Sequence, residues 1–186
     1  MVPPDFQPFL TASVAASSAL IGLLFVSVSI APERVFGGES DPRKQAQAIS
    51  AFSALGNVFF ISIASLIPGI LLGVVVAAVA MASSLQLIGL LFRVRRMGAD
   101  PITAVRGVIL FVVSASIYGT ELYLGIVLWG HPASTPALIG LLEVLLGAYA
   151  IGLGRAWQLL GAPRMGIVSY LLDFLERRRP PAAKSR

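Results

Sequence analysis

The chain has 186 residues, 56% hydrophobic and 12% charged, with a mean hydropathy of +0.85. A water-facing surface carries about twice that share of charge, so lipid must be the solvent for most of this one. The absence of cysteine and the single histidine exclude disulfides, thiolate metal sites, a cysteine nucleophile and a histidine metal cluster within one protomer. The net charge is +5. The basic residues flank apolar runs instead of forming the continuous basic face that phosphate binding needs, which speaks against nucleic acid and for topology signals.

A bilayer core about 30 Å thick takes around 20 apolar residues as a helix. Five segments qualify, at about 9–30, 47–67, 70–92, 107–129 and 136–154. The reading is therefore an all-α, polytopic membrane protein with a five-transmembrane-helix domain over residues 1–162. The first span could be taken for a signal peptide. Its leader MVPPDFQP has no Lys or Arg and its apolar run is long, so a retained helix is expected. The second and third spans are separated by Pro68-Gly69. As one helix, residues 47–92 would reach about 70 Å, more than two bilayer cores. The break must therefore be a tight turn between antiparallel helices, where Pro ends one helix and Gly supplies the turn dihedrals. Asp41-Pro42, Asp100-Pro101 and Thr135-Pro136 each pair a capping side chain with Pro at a helix start. Segments of about ten alternating residues, the mark of a β-barrel, are missing.

With five spans, all 14 Lys and Arg fall on one side, in loops 31–46 and 93–106 and in the C-terminal stretch from Arg155. The other side has none. The positive-inside rule then puts the N-terminus outside and the C-terminus in the cytoplasm. Phe6, Phe9 and Trp129 mark the outer boundary, and Phe92 and Trp157 the inner one. Residues 163–179 read as an amphipathic interfacial helix, with Arg177, Arg178 and Arg179 as candidate contacts to anionic lipid. A disordered basic tail is expected at 180–186.

Small residues let membrane helices approach closely. Stripes run through Ala12, Ala16, Ala19 and Gly22 in the first span, and Ser50, Ala54, Asn57, Ile61 and Ala64 in the second. Gly69, Gly73, Ala77, Ala80 and Ser84 form a third, and Gly140, Gly147, Gly154 and Gly161 a fourth. They predict a tight bundle and leave room for a homo-oligomer.

Glu121 and Glu143 are the only ionisable residues well inside a span, and such residues are functional candidates by default. Glu121 lies about 12 Å below the outer boundary and Glu143 about 10 Å, on helices that should be antiparallel neighbours. Asn57 is near the same layer. The expectation is that both carboxyls face protein, close together, on faces carrying Ser114, Tyr118 and Gly125 or Gly140, Gly147 and Gly154. Two settings fit. One is a cation or proton site built from Glu121, Glu143, Asn57 and Tyr118. The other is a packing contact in which a Glu hydrogen-bonds Tyr118, Asn57 or a backbone carbonyl. No Lys or Arg is expected at that depth, because Arg106 and Arg155 lie at the cytoplasmic ends. Gln86 reads as an interhelical hydrogen bonder, His131 as a loop residue, and Gly37-Gly38 as a hinge. No catalytic triad, metal motif or nucleotide motif is present, so neither an enzyme nor a cofactor is expected.

The stretch TASVAASSALIGLLFVSVSI at 11–30 and SLIPG at 65–69 resemble small bacterial multi-spanning membrane proteins of uncharacterised function. The resemblance covers about a fifth of the chain. It implies the bacterial cytoplasmic (inner) membrane and carries over no functional residue. Two functions then compete: an oligomeric ion- or proton-conducting protomer that uses the carboxylates, and a non-catalytic accessory or scaffold subunit of a membrane complex.

Overall fold

A computed structural model describes residues 2–30, 32–33, 37, 42–95 and 101–159. The expected interfacial helix at 163–179, with Arg177, Arg178 and Arg179, and the tail at 180–186 lie outside these residues. A short 3-10 turn, Pro4–Phe6, leads into α1 (Gln7–Ile30). Then come α2 (Pro42–Ser65), α3 (Leu72–Arg95), α4 (Pro101–Gly130) and α5 (Thr135–Leu159). There is no strand among the described residues. All five helices are long and apolar enough to cross a membrane.

The proline signals act at two of the three expected helix starts, and the capping residues Asp41 and Asp100 read beside them lie outside the described residues. Helices α2 and α4 begin on Pro42 and Pro101, where a missing N–H costs nothing. Helix α5 starts at Thr135, and its cap is Ser134, whose Oγ accepts the Ala137 N–H at 3.4 Å. This moves the cap one residue earlier than the Thr135-Pro136 reading. Between α2 and α3 the chain reverses through Leu66–Leu71, with Gly69 at φ +78°, a left-handed conformation that glycine adopts without Cβ strain. Helix α4 begins six residues before the expected apolar span and α5 ends five residues beyond it. Hydropathy marks only the part of a helix that must be apolar, and backbone hydrogen bonding continues past it.

Helix α2 is the centre of the molecule. Its spanning window is 61% buried, against 17–33% for the other four. It packs against α1, α3 and α5, while α4 closes the circuit by packing on α3 and α5. The result is a ring of four helices, α2–α3–α4–α5, with α1 laid on the outside of α2. The tightest crossing joins α3 to α4. A Cβ on Gly73 would collide with the backbone N of Trp129 and come within 2.6 Å of the Gly125 carbonyl oxygen. One on Gly125 would lie 2.7 Å from the Ala77 nitrogen. Glycine is required at both positions because the obstacles are backbone and cannot rotate away.

The small-residue stripe of α2 is buried throughout, but that of α1 is not. Ala12, Ala16, Ala19 and Gly22 are exposed, and α1 instead buries Leu10, Ser13, Ser17 and Leu24. The buried edge is held by polar bonds. Ser13 Oγ lies 2.9 Å from Ser62 Oγ on α2, and the Tyr149 hydroxyl of α5 donates to the Ser13 carbonyl. Side chains that bond across helices fix the rotation of α1 more firmly than alanines, which offer only close approach.

Candidate functional site: a buried polar column on α4

Helix α4 turns Ser114, Tyr118, Glu121 and Gly125 into the ring, all of them buried. The first three are spaced i, i+4, i+7, which stacks them on one face over two turns. Glu121 is fully buried, at 0% exposure. Its Oε2 accepts a 2.8 Å hydrogen bond from Asn57 Nδ2, which also reaches Ser83 Oγ on α3 at 3.3 Å. Three helices therefore meet at this carboxylate. One turn further along, Tyr118 lies beside Ser53, Glu121 and Arg155. Ser53 Oγ donates to Gln86 Oε1 at 2.9 Å, which joins α2 to α3 as the sequence suggests for Gln86. A cavity of about 10 Å³ opens here, lined by Ser53, Ser83, Gln86 and Tyr118 among others. That is room for about one water molecule.

The far end of the column is a residue that the sequence reading assigned elsewhere. Arg155 is buried, at 8% exposure, and its Nη2 donates to Ser114 Oγ at 3.2 Å. Its position near the end of α5 suggested a topology charge. A helical side chain points back toward its own N-terminus, so a long Arg there returns into the bundle. The available signal was spacing. Leu141, Leu145, Ala148, Gly152 and Arg155 follow a 4-3-4-3 pattern, and all are buried. Gly152 lets this face lie close on Leu55 of α2, with a would-be Cβ 2.9 Å from that side chain.

Glu143 corrects the expectation of a paired carboxylate site. Its depth agrees with the estimate: eight residues into α5, about 12 Å from the helix start, against nine residues and about 13.5 Å for Glu121. Its direction does not agree. Glu143 is exposed on the outside of the ring, and no hydrogen bond or ion pair of this residue is found among the described residues. The reason is the rotation of α5. Leu141 and Leu145 are both fully buried against the cluster that contains Val58, Ile61, Val76 and Leu128. Position 143 lies midway between them in sequence and so on the opposite face. Gly140 and Gly147 occupy the flank toward α4, where would-be Cβ atoms meet Leu124 and Ile117. Gly140 and Gly147 form a seam with α4 and Glu143 lies beyond it, while Gly154 is exposed with nothing within 4 Å of an added Cβ and Gly161 lies outside the described residues.

The apolar cluster also separates the column from the end where the α2–α3 and α4–α5 turns lie. Beyond it, at that end, is a cavity of about 180 Å³ lined by Ser65, Gly73, Trp129, Ser134 and Leu138 among others. Neither Glu121 nor Asn57 lines either of these two cavities. Glu121 and Asn57, both buried, are enclosed by this chain's own helices.

No family model, curated protein or solved structure matches this chain.

Proposed function

We propose that the protein is a non-catalytic membrane subunit that assembles with another membrane protein through the outward face of α5. The observation that carries this reading is the position of Glu143. A charged group at mid-span on an apolar helix costs about 2.5–3.5 kcal/mol on insertion scales. Such residues almost always face a protein interior or a water-filled cavity. In this bundle Glu143 faces neither, so a larger assembly supplies the interior. The occupant is a helix of a different chain with a Lys, an Arg or a hydrogen-bond donor at the same depth. Charge complementarity argues against a second copy. Two parallel copies joined about an axis normal to the membrane would place carboxylate against carboxylate. The cations of the described helices offer no alternative partner, since Arg155 turns inward and Arg43, Lys44, Arg93, Arg95 and Arg106 occupy the helix ends opposite the α4–α5 turn.

Conduction through Glu121 and Glu143 together has less support, because the two carboxylates occupy opposite faces and the column is closed by packing. The all-or-none partition of basic residues supports an N-terminus outside and a C-terminus in the cytoplasm. The resemblance supports a bacterial cytoplasmic membrane. An impermeant maleimide should then label His131→Cys in intact cells, and protection of that cysteine would reverse the orientation.

Assembly is tested by a photo-crosslinking residue placed at Leu146, one turn from Glu143, with Leu85 as a control on another exposed face. The expected result is one adduct of defined mass at 146. It should disappear in Glu143→Leu, persist in Glu143→Gln and be absent at 85. An adduct at twice the mass of the chain would show a homo-oligomer instead. Adducts to lipid alone would end the assembly reading.

A further inference from the structure

The hydrogen bonds around Glu121 leave two acceptors unmatched. Asn57 Nδ2 gives its protons to Glu121 Oε2 and Ser83 Oγ. Glu121 Oε1 and Asn57 Oδ1 then remain without a partner, on side chains that are 0% and 3% exposed. Two orphaned oxygens on a bonded pair are unusual, since buried polar atoms nearly always find partners. Turning the Asn57 amide over does not help, because its oxygen would then face the carboxylate. The deficit is one of positive charge or donors. The buried cation among the described residues does not supply it: Arg155 ends on Ser114, two helical turns from Glu121, or about 10 Å along α4.

We propose that Glu121 Oε1 and Asn57 Oδ1 bind one monovalent metal cation of the Na⁺ class between α2, α3 and α4, with Ser83 Oγ as a third oxygen. Carboxylate, amide and hydroxyl oxygens are hard ligands and suit hard cations. One carboxylate balances one positive charge, whereas a divalent ion would leave uncompensated charge in a low-dielectric interior. The site lies within one protomer and does not depend on assembly through α5.

Thermal unfolding of the purified full chain in detergent tests this, with NaCl exchanged for choline chloride at constant ionic strength and pH. The expected result is a saturable rise in midpoint, about 3–5 °C for each tenfold increase in Na⁺ above its dissociation constant. Glu121→Gln should abolish the response while still folding, since it keeps the shape and a hydrogen-bonding end. Glu121→Gln combined with Asn57→Asp returns one carboxylate to the same pair and should restore part of it. Ser114→Ala, further down the column, should leave it intact. The proposal is overturned if Na⁺, K⁺ and Li⁺ all match choline, or if Glu121→Gln responds like the parent. Stabilisation by lower pH alone, with no response to Na⁺, would also overturn it and assign the pair to a proton.

Discussion

Glu121 and Glu143 lie at nearly the same depth on neighbouring helices, and their surroundings could hardly differ more. Glu121 is closed in by three helices and bonded to Asn57, while Glu143 is exposed on the ring's outer surface. The contrast shows that depth along a span and direction around it are separate properties. Depth follows from counting residues at a fixed rise. Direction follows from which side chains fill the core, and on α5 the large Leu141 and Leu145 decide it. One carboxylate therefore belongs to the interior of this chain, and the other lies exposed on its outer surface, where the proposed assembly would cover it.

The largest effect expected when this arrangement is disturbed comes from the scaffold that holds α4 in place. Gly73→Val would drive a side chain into the backbone of α4. It should cost more than about 4 kcal/mol, the range reserved for overpacking without relief, and the purified chain should lose its single sharp peak in size-exclusion chromatography. Gly22→Val, at an exposed site with nothing within 4 Å of the added Cβ, should elute like the parent. Next comes the buried carboxylate itself. Glu121→Leu strands the Asn57 amide and should lower stability by about 1–3 kcal/mol in a detergent unfolding titration. A smaller loss, about 0.5–1.5 kcal/mol, is expected for Tyr149→Phe, which removes the hydroxyl bonded to Ser13. At the bottom of the scale, Glu143→Leu should change the stability of the isolated chain by less than about 0.5 kcal/mol. A loss as large as that of Glu121→Leu would mean that Glu143 has a partner inside the protomer.

Much of this fold is legible in the sequence, because hydropathy and proline chemistry act locally. The five helices, the Pro68-Gly69 reversal and the starts at Pro42 and Pro101 need no knowledge of neighbours. The buried face of α2 was also legible, as Ser50, Ala54, Asn57, Ile61 and Ala64 form one stripe that a central helix must bury. The rotation of α1 and α5 was not, because small residues fit equally well in a tight seam, on a flank or toward lipid. Ala12 and Ala16 face outward while Ser13 and Ser17 face in, and the two faces are distinguished by contacts with other helices, the bonds of Ser13 to Ser62 and Tyr149 and the packing of Leu24 on Ala51 and Leu55. In the candidate site, Asn57, Tyr118 and Glu121 come together as their spacing suggests. The inward turn of Arg155 is not legible in the sequence, because an Arg near a helix end reads as a topology charge, although its side chain is long enough to turn back inside.

The most direct test is a pair of double-mutant cycles on unfolding free energy in detergent. One joins Asn57→Ala with Glu121→Ala, and the other joins Glu121→Ala with Glu143→Ala. A coupling of about 1 kcal/mol is predicted in the first cycle, as expected for a buried interhelical hydrogen bond. The second should be additive to within about 0.5 kcal/mol, as for sites that share no partner. Additivity between 57 and 121, or coupling between 121 and 143, would contradict the separation of the two carboxylates into an inner and an outer setting.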